Sequence, residues 1–160
     1  RGSTFWFTVA LRVGNQADLT ARAQEAGWNT PLRQGARILL VEDNELNQEA
    51  ASGLLTDAGF VVDIADNGQL ALNRLAAATE PYDLVLMDMV MPVMDGIEAT
   101  RLIKTSDRAD IRQTPVMGLT ANVSLVDLDR FKEAGLDGLL LKPFDLSQLR
   151  AESLRLMPVD

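Results

Sequence analysis

From Arg37 to Leu156, short apolar runs alternate with longer stretches in which apolar residues recur at helical spacing. The runs Arg37–Val41, Phe60–Ala65, Leu84–Met87, Pro115–Leu119 and Gly138–Leu141 predict five strands. Helices are predicted from near Asn44 to Gly59, Asn67 to Ala78, Gly96 to Thr105, Ser124 to Ala134 and Leu146 to Leu156. On the first helix, Leu46, Ala50, Gly53, Leu54 and Leu55 are expected to face inward; on the second, Leu70, Ala71, Leu72 and Leu75. Asp63 interrupts the second strand, which suits a less buried position, and Pro81 breaks the chain before the third. Strands this continuously apolar, each followed by a helix, imply a doubly wound five-stranded parallel α/β sheet, covered on both faces and joined by right-handed crossovers.

The ends of the apolar runs carry the chemistry. Leu84-Val85-Leu86-Met87 stops at Asp88, and Ile38-Leu39-Leu40-Val41 stops at Glu42-Asp43. Val116-Met117-Gly118-Leu119 stops at Thr120, and Leu139-Leu140-Leu141 at Lys142-Pro143. Ligands gather at the carboxyl ends of strands in open parallel sheets, so three carboxylates, a hydroxyl and an ammonium are aimed at one place. Each also has an ordinary reading. Asp88 would cap a turn, Glu42-Asp43 with Glu45 would be an acidic helix start, Thr120 a turn threonine and Lys142 a surface lysine. The four strand ends together favour a shared site. Asp95-Gly96 is assigned to the turn that starts the third helix, Met87, Met89, Met91 and Met94 to packing, and Arg37, Arg101 and Lys104 to solvated charge.

Composition narrows the classes. The 160 residues suffice for one ordinary domain with some extra length, and 47% hydrophobic residues exclude disorder. A formal charge of −8 argues against nucleic-acid binding. The chain has no cysteine, which removes thiolate metal sites, and no histidine, which removes any phosphohistidine step of its own. No apolar run approaches the roughly 18 residues of a membrane span. The start, Arg1-Gly2-Ser3-Thr4, is not a signal peptide; it reads as an internal cut from a longer protein, with Arg1-Gly2-Ser3 partly a cloning scar. Thr4 to Leu11 reads as a strand with no hairpin partner, and residues 12 to 36 as a linker with a short helix from Asp18 to Ala26.

The acidic pair Glu42-Asp43, Asp88 in MDMVMPVMDG, Leu119-Thr120-Ala121-Asn122 and Leu141-Lys142-Pro143-Phe144 resemble, in order and placement, the receiver domain of two-component response regulators. The resemblance covers residues 37–157 and implies a flavodoxin-like (βα)5 fold. Gly2-Ser3-Thr4-Phe5-Trp6-Phe7-Thr8 is similar to the closing strand of a histidine-kinase ATP-binding domain. Together they resemble the end of a bacterial hybrid sensor histidine kinase, with residues 1–12 a kinase remnant and 13–36 a linker. The kinase's nucleotide lid and phosphodonor histidine are absent from this fragment, so no kinase activity is expected of it.

The resemblance implies that Asp88 is the phosphoacceptor, forming an acyl phosphate, with Thr120 donating its hydroxyl and Lys142 its ammonium to the phosphoryl group. It implies Mg²⁺ held by Glu42, Asp43, Asp88 and the backbone carbonyl of Val90, and a cis Lys142-Pro143 bond. One Mg²⁺ with Lys142 would balance the three carboxylates. Implied partners are a histidine-kinase phosphodonor domain and a histidine phosphotransfer domain, in the cytoplasm, with no nucleic acid and no membrane contact by this fragment. The parent kinase could still be anchored in a membrane. The N-terminal strand, left without a sheet to join, is expected to be poorly ordered or to take part in self-association.

The chain departs from the family at Leu139, where many receivers carry an aromatic residue or histidine, so a weaker or different conformational readout is expected. Val90 and Asn122 lie beside the pocket, where residues influence how water reaches the acyl phosphate; Val90 cannot orient water, so a long-lived phosphoryl group is expected. Three other readings compete. An Asp-nucleophile phosphatase would want a second Asp where Val90 stands. A flavodoxin-like ligand module would want backbone donors where Glu42-Asp43-Asn44-Glu45 stands. A pseudo-receiver that only binds proteins would have no need of the intact Glu42, Asp43, Asp88, Thr120 and Lys142 set.

Overall fold

The computed structural model describes residues 34–157. The strand expected over Thr4 to Leu11, most of the linker and the short helix expected within it lie outside the described residues. The strands are β1 (Arg37–Val41), β2 (Val61–Ala65), β3 (Leu84–Asp88), β4 (Val116–Thr120) and β5 (Gly138–Leu141). The helices are α1 (Glu45–Asp57), α2 (Gly68–Ala77), α3 (Gly96–Lys104), α4 (Ala109–Gln113), α5 (Leu125–Ala134) and α6 (Leu146–Leu156). All strand pairs are parallel, in the order β2-β1-β3-β4-β5. The winding reverses between β1 and β3, which opens a crevice at their carboxyl ends.

Alternation along the strands divides the core in two. Leu39, Val41, Val85, Met87 and Val116 pack on one face with Ala71, Leu75, Ala99, Ile103 and Phe131 from the helices. Ile38, Leu40, Leu84, Leu86, Met117 and Leu119 pack on the other with Leu55 of α1 and Leu149 of α6. Glu42 continues the series of Ile38 and Leu40, and Asp88 that of Leu84 and Leu86, so both belong to the side that α1 covers. β2 lies at the sheet edge with Asp63 half-buried, as its interrupted pattern predicts.

Five helices begin with a side-chain cap, each accepting the backbone N–H three residues on: Asn44, Asn67, Asp95, Ser124 and Asp145. The pattern does not predict α4. It is five residues long, its N-cap Arg108 makes no side-chain cap, and it buries only Ile111.

Burial corrects several expectations. Leu46 (76% exposed), Ala50 and Gly53 face outward on α1, whose inner stripe is Ala51, Leu55 and Ala58 at helical spacing. Leu70 on α2 is likewise exposed, because Ala71 and Leu75 already meet the sheet. Arg37 and Lys104 are not simply solvated. Arg37 bonds Asp63 at 3.0 Å and the Glu80 carbonyl at 2.6 Å, and lies over the Tyr82 ring. Lys104 bonds Asp137 at 2.7 Å and the Thr114 carbonyl at 2.9 Å. Both tie loops at the amino-terminal edge of the sheet, away from the strand ends that carry the acids.

Ser153 on α6 is fully buried, and its hydroxyl has no hydrogen-bond partner among the described residues. An unpaired buried hydroxyl costs about 1–3 kcal/mol. Ser153→Ala is therefore expected to raise stability by about 1 kcal/mol, read as a higher urea midpoint with an unchanged slope.

Candidate functional site

The last rungs of the ladder hold the functional side chains. Asp88 pairs with Leu119, and Thr120 with Leu141. Backbone bonds extend the sheet past the apolar runs: Met89 N–H to the Leu119 carbonyl at 3.0 Å, Lys142 N–H to the Thr120 carbonyl at 2.7 Å, and Glu42 N–H to the Ala65 carbonyl at 3.1 Å. Gly96 lets α3 close against this edge. A Cβ there would collide with the Asp88 carbonyl and lie 2.9 Å from the Met89 Cα.

Glu42 and Asp88 are buried, at 3% and 4% exposure, and share one ammonium. Lys142 Nζ donates to Glu42 Oε2 and to Asp88 Oδ2, each at 2.9 Å. Asp88 Oδ1 accepts the Val90 N–H at 3.1 Å. Glu42 Oε1 accepts the Asn44 N–H and Asn47 Nδ2, each at 3.2 Å. Gln48 Nε2 donates to the Glu42 backbone carbonyl at 2.6 Å and to Asp66 at 2.9 Å. Asp43 is exposed beside them, and oxygens of Glu42, Asp43 and Asp88 lie within 4.8 Å of one another.

The two buried acids differ in how well they are served. Burial pushes Glu42 up, but bonds from Lys142, Asn47 and Asn44 outweigh it and hold the carboxyl below its ordinary range. Burial also pushes Asp88 up. Lys142 and the Val90 N–H do not fully offset that, and the charge of Glu42 adds to it, so Asp88 titrates above an ordinary aspartate. Burial pulls Lys142 down, but its two carboxylates prevail and keep it firmly charged.

The structure thus brings Glu42, Asp43, Asp88 and Lys142 together. Thr120 stands at the adjacent strand end, with its hydroxyl turned aside to donate to the Asn122 carbonyl at 2.7 Å. The Lys142-Pro143 bond is cis. Leu139 is half-buried in β5 opposite Gly118, where a Cβ would come within 3.0 Å of Leu139 Cδ1; the glycine makes room for it. The Val90 side chain is exposed. A groove of about 450 Å³ opens beside the acids, between α1 and the loop after β5, lined among others by Ala50, Leu54, Ala121, Pro143 and Phe144. Sequence reasoning missed Asn47, Gln48 and the Val90 N–H. The available signal was a pair of carboxamides just past the acidic residues, where Asn47 bonds the Glu42 carboxylate and Gln48 its backbone carbonyl.

Residues 38–153 match the family described as the response regulator receiver domain. The chain belongs to that family. It is a receiver domain of two-component systems. Over 119 residues it is 44% identical to the two-component response regulator ORR41 of Oryza sativa subsp. japonica, covering 73% of this chain and 91% of the rice protein. It is 32% identical over 155 residues to hybrid signal transduction histidine kinase K of Dictyostelium discoideum, covering 94% of this chain but 13% of that kinase. Among solved structures, the receiver domain of sensor histidine kinase PA1611 from Pseudomonas aeruginosa PAO1 is 35% identical. The match has a TM-score of 0.69 and covers 78% of this chain and 99% of that one, which holds a magnesium ion in its active site cleft. Vibrio cholerae CheY4 is 30% identical with a TM-score of 0.69, covering 77% of this chain and 99% of that one. Nothing in these likenesses favours a receiver that only binds proteins. Among the described residues, no helix is long and apolar enough to cross a membrane.

Proposed function

We propose that this receiver takes a phosphoryl group from a phosphohistidine onto Asp88, with Mg²⁺, and holds it or relays it. The observation that carries this reading is the single ammonium of Lys142, 2.9 Å from both Glu42 and Asp88, with the Asp43 carboxylate in reach. An Asp88 oxygen attacks phosphorus, the phosphorus–nitrogen bond breaks, and the imidazole leaves with that electron pair. Lys142 then neutralises a phosphoryl oxygen, and Thr120 gives up Asn122 to donate to another. These 160 residues contain no histidine, so the donor histidine lies outside them.

The donor set suits Mg²⁺: it offers hard carboxylate oxygens from three residues, all within 4.8 Å of one another. Glu42, Asp43, Asp88 and the Val90 carbonyl would hold the ion, which supplies charge neutralisation for the incoming phosphoryl group. Acetyl phosphate with Mg²⁺ is expected to add one phosphoryl group, seen by intact mass and lost on hydroxylamine treatment. No mass gain with Mg²⁺ present would overturn the reading.

Two further outcomes follow from the site. The raised Asp88 carboxyl takes up a proton before an ordinary aspartate does as pH falls. Stability linked to a raised pKa is fully present below the unfolded-state value and lost as pH rises through the folded one, so ionised Asp88 weakens the metal-free fold at neutral pH. Mg²⁺ needs the ionised form, and its affinity is expected to fall at about pH 5 relative to neutral. Magnesium titrations at the two pH values check this; equal affinity would contradict it. Val90→Asn, which brings a water-orienting amide beside Asp88, is expected to shorten the phosphoryl lifetime several-fold, measured by mass after removal of the donor.

The partners we assign are a histidine-kinase phosphodonor domain and a histidine phosphotransfer domain, in the cytoplasm. The hybrid kinases and kinase receivers among the relatives support a hybrid histidine kinase as the parent, with residues 1–12 from its ATP-binding domain and 13–36 as linker. Leu139 gives Thr120 no aromatic neighbour to move with, so the readout through β5 is weaker than with an aromatic residue there.

A further inference from the structure

Glu42 is held by donors on both of its carboxylate oxygens. Its Oε1 is taken by the Asn44 N–H and by Asn47 Nδ2, each at 3.2 Å, and only Oε2 faces the ammonium of Lys142 at 2.9 Å. Asn47 is itself fixed, because the Asn44 side chain accepts its backbone N–H at 3.1 Å. The amide must present nitrogen to the carboxylate, since the flipped form would set oxygen against oxygen. Glu42 is thereby limited to one oxygen in one direction.

That limit discriminates between cations. Mg²⁺ takes about six ligands at about 2.0–2.1 Å, each carboxylate giving one oxygen, and it keeps waters. Ca²⁺ takes about 6–8 oxygens at about 2.3–2.6 Å and readily uses both oxygens of a carboxylate. We infer that Asn47 is a positioning residue that sets cation specificity: with the Asn44 N–H on one lone pair of Glu42 Oε1, the Asn47 amide takes the other, so the site is denied a bidentate carboxylate and favours Mg²⁺ over Ca²⁺. Gln48, on the same turn, bonds the Glu42 backbone carbonyl and leaves its carboxylate alone, so it shares the neighbourhood without the role.

This inference rests on the Mg²⁺ reading above, and one experiment separates the two. The full chain, labelled with ¹⁵N, is titrated separately with Mg²⁺ and Ca²⁺, and dissociation constants are read from amide shifts at Asp43, Asp88 and Lys142. Asn47→Ala and Asn47→Ser are expected to raise the affinity for Ca²⁺ relative to Mg²⁺ by roughly tenfold. Gln48→Ala is expected to leave the ratio within about twofold. A merely structural role for Asn47 would weaken both ions in parallel, and a parallel loss or an unchanged ratio overturns the inference. Wild-type protein that shows no Mg²⁺-dependent shift would overturn the metal reading itself, and this inference with it. Asn47 is exposed on α1, and alanine and serine are compatible with a helix there.

Discussion

Asp88→Asn is expected to abolish phosphoryl incorporation, by at least on the order of a thousandfold, while making the metal-free domain more stable. The first effect follows because an amide oxygen is a poor nucleophile and cannot form the acyl phosphate. The second follows from where Asp88 sits. It is 4% exposed, burial raises its carboxyl, and the neighbouring Glu42 adds to that rise. The folded state therefore disfavours the charge that the chemistry needs. Asparagine keeps the shape and still offers an oxygen, while Lys142 retains Glu42 at 2.9 Å. Function and stability should move in opposite directions, measured by intact mass after acetyl phosphate and by urea unfolding without metal. An Asp88→Asn protein that accepts phosphoryl groups at the original rate, or that is less stable than the wild type, contradicts the assignment.

Lys142→Met is expected to cost about 3 kcal/mol of stability in the absence of metal. Removing one partner from a buried ion pair costs about 3–5 kcal/mol, and the lower end applies because the Lys142 side chain is 23% exposed. The loss leaves Glu42 and Asp88 buried and close, with the Asn44, Asn47 and Val90 donors left to serve them among the described residues. Two like charges so placed relieve themselves by binding a proton. The deficit should therefore be largest at neutral pH and shrink as the pH falls. Added Mg²⁺ should raise the melting temperature more in the variant than in the wild type, because the cation replaces the missing charge. A variant that unfolds at the wild-type denaturant concentration, at every pH, would show that Lys142 does not hold the pair.

Much of this was legible in the sequence because the relevant signals are local. Each apolar run in a parallel sheet is bounded by the residue that ends it, so Glu42, Asp88, Thr120 and Lys142 could be read as strand ends. The capping residues Asn44, Asn67, Asp95, Ser124 and Asp145 likewise sit where the helical pattern begins. What the sequence hid depends on the third dimension. The outward turn of Leu46 and Ala50 is decided by which stripe of α1 meets the sheet, and α1 carries apolar residues on two sides. α4 is too short to show a period and lacks a cap. The anchoring of Arg37 to Asp63 and Glu80, and of Lys104 to Thr114 and Asp137, joins residues well separated in the chain. The hydrogen bond from the Thr120 hydroxyl to the Asn122 carbonyl likewise depends on how the loop after β4 turns, which no spacing reveals.

Amide NMR with Mg²⁺ followed by beryllofluoride reads both metal binding and phosphoryl-like occupancy at Asp88. Shifts at Asp43, Asp88, Thr120 and Lys142 are expected in the wild type, with no beryllofluoride response in Asp88→Asn. A wild-type spectrum that does not respond to Mg²⁺ and beryllofluoride, or an Asp88→Asn spectrum that responds as the wild type does, would contradict it.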